Sequence, residues 1–274
     1  MSADGWVPTD IDVTTPSTAR IYDYVLGGKD NFPPDRKAAE RIFDIAPEAG
    51  QAAHANRVFL QRVVRYLAAE RGVTQFVDVG TGIPTYPAVH DVARRIAPEA
   101  RVVYVDNDPV ALTHARALMA NMGGNTDRVA VCDADMRRPE TIINDPEVRK
   151  FIDWDQPVAV LMLMMLHFAT DDEDPEGIVA TFRNRIAPGS YVALTHISGD
   201  DVPQEDVDRF EAIYTNATST VTFRSGERIR GMLAGFTLAE PGLVFLENWR
   251  PDLPPPTPTG LPERSWIYAA LGGV

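Results

Sequence analysis

From residue 73 to the end of the chain, short apolar runs alternate with stretches of helical periodicity, and this alternation leaves few folds open. Strands are expected at 74–79, 101–105, 128–132, 157–165 and 191–196. Helices are expected between them at 89–97, 110–122 and 177–186, with shorter helical pieces at 140–144 and 147–151. The run at 158–166 is apolar at all nine positions, which fits a strand covered on both faces. Two helices, 206–217 and 226–234, and two late strands, near 238–246 and 266–271, complete the pattern. Strand and helix in strict alternation mean a mostly parallel sheet with helices on both faces. The expected architecture is therefore an α/β, Rossmann-like, doubly wound sheet of seven strands.

Residues ahead of 73 follow a different rhythm. A polar lead-in at 1–18 precedes three helices, 18–26, 35–45 and 51–71, and Val58, Phe59, Val63, Tyr66 and Leu67 give the last one an apolar face. The expected organisation is an N-terminal helical cap or lid over 1–72 and a cofactor-binding core over 73–274. Between the late strands, 251–262 holds six prolines and reads as an extended surface connection.

Composition narrows the function. The 274 residues carry a net charge of −13, which argues against a nucleic-acid backbone as the main partner. A single cysteine excludes a disulfide framework within the chain and a cysteine-clustered metal site. No apolar run approaches the roughly 20 residues of a spanning helix, and the N-terminus lacks a secretory pattern. No membrane partner is expected, the expected location is cytoplasmic, and nothing in the sequence fixes the oligomeric state.

The informative motifs fall at successive strand ends, where doubly wound sheets bind their ligands. The first strand runs into Asp78-Val79-Gly80-Thr81-Gly82. A dinucleotide fingerprint needs a third glycine where Thr85 stands, so a pyrophosphate ligand fits poorly. A carboxylate at Asp78 instead suits a ligand bearing an ammonium group, while Gly80 and Gly82 allow close backbone approach. The other reading of Asp78 is a cap on an ordinary strand–helix turn. The second strand ends at Asp106, with Asn107 beside it, 24 residues after Gly82. That spacing suits an acid accepting from ribose hydroxyls. Asp108 reads as the cap of the next helix. The third strand leads to Asp133, Asp135 and Met136. Asp135, or failing it Asp133, is placed to accept an adenine amine, and Met136 to stack on the ring or fill the core.

Three carboxylates at three successive strand ends resemble the pattern of class I S-adenosylmethionine-dependent methyltransferases. More narrowly, the chain resembles an actinobacterial family of such proteins long catalogued as a domain of unknown function. The likeness covers nearly the whole chain and is carried best by the segment from Ala19 to Phe32, with Asp78 to Thr85 and Tyr104 to Pro109. Ala88 and Arg138 depart from the family pattern, where Asn and Asp are expected. The resemblance implies the fold and S-adenosyl-L-methionine as cofactor, and implies no particular acceptor. A small-molecule acceptor is expected.

Gly27-Gly28 has two readings, a helix C-cap with its turn or the hinge of a lid whose Tyr22 and Asn31 face the cofactor. The resemblance favours the lid. Of five histidines, His167 and His196 follow the fourth and fifth strands, at the edge where an acceptor would lie. Each reads either as a general base or as a satisfied pocket-wall residue. The acidic run from Asp171 to Asp174 reads as a solvated lead into a helix N-terminus, and no metal site is expected. Two other functions remain open at this level, an NAD-linked oxidoreductase on the same architecture and a regulatory protein that binds the cofactor without turnover.

Overall fold

The computed structural model describes residues 12–120, 126–254 and 266–274. In chain order the elements are α1 (Thr18–Val25), α2 (Pro33–Ile45), α3 (Ala49–Glu70), β1 (Gln75–Val79), α4 (Val89–Arg94), β2 (Arg101–Asp106), α5 (Pro109–Ala120), β3 (Val129–Asp133), α6 (Pro139–Asn144), α7 (Pro146–Phe151), β4 (Ala159–Leu163), α8 (Pro175–Arg185), β5 (Tyr191–Ile197), α9 (Gln204–Tyr214), α10 (Gly226–Met232), β6 (Thr237–Leu238), β7 (Val244–Phe245) and β8 (Ile267–Gly273). The first eleven residues of the expected lead-in, most of the proline-rich connection and the expected end of the 110–122 helix lie outside the described residues.

The sheet runs in the order β3-β2-β1-β4-β5-β8-β6, with β7 also pairing β8. Pairs among β1 to β5 are parallel, and β8 runs antiparallel to β5, β6 and β7. The sheet has eight strands where seven are expected. The segment near 238–246 breaks into two dipeptide strands because Pro241 has no N–H to donate and Gly242 sits at φ +87°. Strand β4 is shorter than expected because Met164 takes φ +57° and leaves the extended region at once.

Side chains along the parallel strands alternate between two cores, as a period of two requires. Phe76, Val102, Tyr104, Ala159, Leu161 and Ala193 pack with α3 and α4 on one face. Val77, Val103, Val105, Val160, Met162 and Val192 pack with α6, α7, α8 and α10 on the other. This parity decides the site, because Asp78 and Thr195 fall on the α3 side. Helix α3 is the largest contributor to that face, with twelve buried positions that include Asn56 and Arg62. Arg62 donates to the carbonyl of Trp249 at 2.8 Å, and Trp249 stands edge-on to Phe59 at 5.1 Å, which ties α3 to the segment before β8.

Helices α1 and α2 meet at a buried ion pair. Arg20 Nε lies 3.0 Å from Asp35 Oδ2, and both side chains are almost wholly buried. Asp35 also accepts the backbone N–H of Ser17 at 2.9 Å and of Phe32 at 2.8 Å. Among the described residues, no helix is long and apolar enough to cross a membrane.

Candidate functional site

Strand order reverses between β1 and β4, and a cavity of about 270 Å³ opens there, at the carboxyl ends of the strands. Of the residues singled out in the sequence, Tyr22, Asp78, Gly80, Gly82, Asp106, Asn107, Asp135, Met136 and His167 all line it. Asn31 and His196 do not.

Asp78 ends β1 on the α3 face and is buried. It accepts from Thr81 Oγ1 at 3.2 Å. Burial pushes its carboxyl up to about 6, against the pull of the Arg57 charge and the Thr81 hydroxyl, while Asp106 nearby adds to the rise. Asp106 is fixed before any ligand arrives. Its Oδ2 accepts from the Gly82 N–H at 2.8 Å, and its Oδ1 accepts from Asn107 at 2.8 Å and Asp108 at 2.9 Å. Burial again raises its carboxyl, opposed by these backbone donors.

The two glycines differ. Gly80, at φ +75°, has the thioether of Met165 directly over its Cα, so a Cβ would meet Met165 Sδ at 1.9 Å. Gly82, at φ +62°, has nothing within 4 Å of where a Cβ would stand. Gly80 thus serves internal packing, and Gly82 leaves open space beside Asp106.

Asp135 lines the cavity, whereas Asp133 is exposed outside it. Arg137 engages both Asp135 oxygens, with Nε at 2.9 and 3.0 Å and Nη2 at 2.7 Å, and reaches Glu173 through Nη1 at 3.2 Å. Burial alone would lift the Asp135 carboxyl, but the hydrogen bonds and charge of Arg137 outweigh it and hold the group below its ordinary value. Each oxygen then has limited capacity left for a ligand N–H. Asp108 caps α5 as expected, accepting from Val110 at 2.8 Å and Ala111 at 3.1 Å. Its other oxygen accepts from Ser17 Oγ.

Two expectations are corrected. Asn31 does not face the cavity. Its amide donates to Asp23 Oδ2 at 2.8 Å and to the Gly28 carbonyl, and its Oδ1 accepts from Arg36. It therefore buttresses Asp23, which does line the cavity. His196 is fully buried away from the cavity with both ring nitrogens engaged. Nδ1 lies 2.6 Å from the Ile197 carbonyl, which requires an N–H there, so Nε2 accepts from Arg224 at 3.2 Å. Burial lowers its pKa to about 4, and Arg224 adds to the fall. With no free lone pair, His196 has none to offer an acceptor.

His167 is the opposite case. It lines the cavity, is 2% exposed, and its Nδ1 has no hydrogen-bond partner. Burial holds its pKa well below the ordinary range, with the neighbouring His196 and Arg224 adding to the fall. Arg224 secures the turn that carries it, through the carbonyls of Leu166 and Ala169 and the carboxylate of Asp171. The acidic run is used locally: Asp171 pairs with Arg224, Glu173 with Arg137, and Asp174 caps α8 at Gly177.

Helix α1 supplies the near wall of the cavity with Thr18, Ala19, Tyr22, Asp23 and Leu26, which share one helical face. Gly27, at φ +81°, makes the C-cap turn. A Cβ on Gly28 would strike the Asp23 carboxylate. The geometry of the cap-and-turn reading is therefore present. A relay connects α1 to the sheet: the Met164 N–H donates to Thr195 Oγ1 (2.9 Å), Thr195 to Asn56 Oδ1 (2.8 Å), and Asn56 Nδ2 to the Tyr22 hydroxyl (3.0 Å). Sequence reasoning missed Asn56 and Arg57. The available signal was a polar pair interrupting the buried Ala52-Ala53-Ala55-Phe59 stripe of α3.

The family model for S-adenosyl methyltransferases matches residues 4–274. The chain is similar to a solved structure from Thermobifida fusca assigned as a methyltransferase, at 38% identity over 98% of both chains with a TM-score of 0.87. It is also similar to a DUF574 family protein from Streptomyces avermitilis, at 37% identity over 96% of this chain and 98% of that one, TM-score 0.88. No curated protein sequence matches significantly.

Proposed function

Because the chain belongs to the S-adenosyl methyltransferase family, we propose that the cavity at the strand ends holds S-adenosyl-L-methionine and delivers its methyl group to a small-molecule acceptor. Family membership makes the protein an S-adenosylmethionine-dependent methyltransferase. The assignment of residues is our own. The single observation that carries it is the convergence of Asp78, Asp106 and Asp135, from three successive strands, on one cavity.

The residues present fit the cofactor. Open space beside Gly82 and the fixed carboxylate of Asp106 make a cradle for a ribose, with Asn107 at its rim. Asp78 would face the ammonium group, while Asp135 and Met136 would border the adenine. The bound cofactor supplies a methyl group made electrophilic by its sulfonium, so the protein's main task is alignment. Alignment is worth up to ~7–11 kcal/mol of barrier. His167 would hydrogen-bond the acceptor from the cavity wall that it lines. A net charge of −13 favours a small molecule over nucleic acid as the acceptor.

The direct test is a metabolite extract incubated with methyl-labelled cofactor. Label in a small product supports the reading, and binding of S-adenosylhomocysteine without any transfer favours a non-catalytic binder.

Asp78 makes the site pH-sensitive. Its carboxyl is raised from 3.8 to about 6 in the folded protein. The stability it contributes is therefore complete below about pH 4 and is lost as pH rises through 6. An ammonium ligand favours the charged form, so affinity moves the other way. S-adenosylhomocysteine affinity should rise between pH 5 and 7 and then level off, measured by calorimetry, and Asp78→Asn should flatten that rise.

Residues 1–72 are proposed to act as a cap, with α1 as its moving part. Contacts at both rims of the cavity support this. Ser17 Oγ holds Asp108 on the cofactor side, while the Thr218 N–H donates to the Pro16 carbonyl (2.9 Å) and the Thr18 N–H to Thr218 Oγ1 (3.3 Å) on the far side. In hydrogen exchange, amides across 22–32 should exchange fast in the free protein and slow sharply with S-adenosylhomocysteine. Equal protection in both states would make the segment scaffold.

A further inference from the structure

Beside this cavity lies a second compartment of about 90 Å³. Tyr22, Met164, Ile197, Phe210 and Tyr214 line both and form the partition between them. Aromatic rings run without a break along this path. His167 packs on Phe168 (4.3 Å between centroids), Phe168 on Tyr214 (5.9 Å), Tyr214 on Phe210 (5.9 Å, nearly parallel), Phe210 on Phe223 (5.2 Å) and Phe223 on Trp266 (6.4 Å). Among the described residues, Glu48 is the one side chain lining the second compartment that carries a full charge at neutral pH.

Building on the methyl-transfer reading, we propose that the acceptor is an uncharged aromatic hydroxy compound. Its hydroxyl meets His167, and its ring system lies along the Phe168–Tyr214–Phe210 wall toward Trp266.

Three observations select this class. The first is charge. An acidic ring system needs a cation beside it, and among the described residues no Lys or Arg lines the second compartment. Arg57, which lines the cavity from α3, lies beside Asp78 and donates to the Thr85 and Pro87 carbonyls. The second is shape. A wall of rings rewards a flat apolar body through offset and edge contacts, and aliphatic residues such as Ile21, Val25 and Ile42 close the far side of the second compartment. The third is the reacting group. His167 presents an imidazole at the cavity wall, and a hydroxyl, which can both donate and accept, is the smallest neutral group that pairs with either tautomer of that ring.

His167 also discriminates among hydroxyls. Its burial and its cationic neighbour make it a weak base. A weak base takes a proton readily only from a donor that is already acidic, which an aromatic hydroxyl is and an aliphatic alcohol is not. As the acceptor oxygen bonds to the methyl carbon, the carbon–sulfur bond breaks with its electron pair left on sulfur, and the hydroxyl proton passes to the unprotonated ring nitrogen of His167. The products are an aryl methyl ether, a neutral thioether and a protonated His167.

The test uses the full chain saturated with S-adenosylhomocysteine, whose own binding is first measured by calorimetry. The probes are 2-naphthol, naphthalene, 2-naphthoate and decahydro-2-naphthol, followed by calorimetry and by quenching of tryptophan fluorescence. We expect 2-naphthol to bind about tenfold more tightly than naphthalene, the margin of one buried hydrogen bond. It should exceed 2-naphthoate by more than that, and with the methyl donor it should yield 2-methoxynaphthalene. His167→Ala should collapse the naphthol-to-naphthalene ratio. Ala49→Trp, at a half-buried position lining the second compartment, should weaken naphthol binding and leave S-adenosylhomocysteine binding unchanged. Naphthoate or the decahydro alcohol binding as well as naphthol overturns the proposal, as does exclusion of all four probes from protein that binds S-adenosylhomocysteine. Failure to bind S-adenosylhomocysteine at all overturns the assignment of the cofactor site and this proposal with it.

Discussion

Replacing Asp106 with Ala is expected to weaken S-adenosylhomocysteine binding by ~1.5–3 kcal/mol, the range for hydrogen bonds lost to a charged group, and to lower the melting temperature of the unliganded protein as well. From the sequence, a strand-end carboxylate would touch little of the core, and the free protein would melt almost unchanged. The structure revises that part. The carboxylate of Asp106 accepts three backbone N–H groups, from Gly82, Asn107 and Asp108, and so holds the β1 and β2 turns against each other. Alanine leaves all three without that acceptor in a half-buried loop. At this chain length each kcal/mol lost lowers the melting temperature by about 2–4 °C. Asp106→Asn should lose less stability than Asp106→Ala, because its one amide oxygen can keep the Asn107 and Asp108 bonds while its NH2 faces the Gly82 N–H, and the charge facing the ribose is gone. Unchanged cofactor affinity in both variants would remove Asp106 from the site.

Loss of Asp35 should be the most damaging single change to the cap. Its carboxylate lies fully buried against Arg20 and also accepts from Ser17 and Phe32, so Asp35→Ala leaves a guanidinium buried without its charge partner. Removing one partner of a buried pair costs about 3–5 kcal/mol. The damage should be local first. Chemical denaturation would show the large loss of stability, and hydrogen exchange would show α1 and α2 opening ahead of the sheet. Cofactor affinity should fall as well, because Ser17, whose N–H Asp35 holds, carries the contact to Asp108. Replacing Arg20 and Asp35 together with Met and Leu should recover much of the stability, since an apolar pair of similar size strands no charge. A double variant as unstable as the single would mean that the pair acts through its backbone hydrogen bonds and not through charge.

The sequence by itself determined the layers and most of the cofactor end of the site. Short continuous apolar runs set against stretches of 3.6-residue periodicity marked the parallel strands and their helices, because each strand must bury both faces and each helix one stripe. Carboxylates that terminate neighbouring strands were legible for the same reason. Strand ends are local features, and the topology of a doubly wound sheet brings successive ends together without further information. Asp78, Asp106 and Asp135 converge on one cavity for that reason.

Only the tertiary structure decided what side-chain direction and long-range partners control. His167 and His196 look equivalent in the sequence, each at the carboxyl end of an expected strand. The turn after Leu163 brings His167 to the cavity with Nδ1 unpartnered, while strand parity and the long-range partner Arg224 occupy His196. Asn31 was read as facing the cofactor and instead braces Asp23, since the Gly27-Gly28 turn folds it back on α1. Asn56 and Arg57 reach the site from α3 because Asp78 and Thr195 share the parity that points to that face, a relation spanning up to 139 residues of sequence. The aromatic wall from Phe168 to Trp266 is likewise a product of packing. Its members come from the segment after β4, from α9 and from the segments before α10 and β8, and no local pattern joins them before the sheet does.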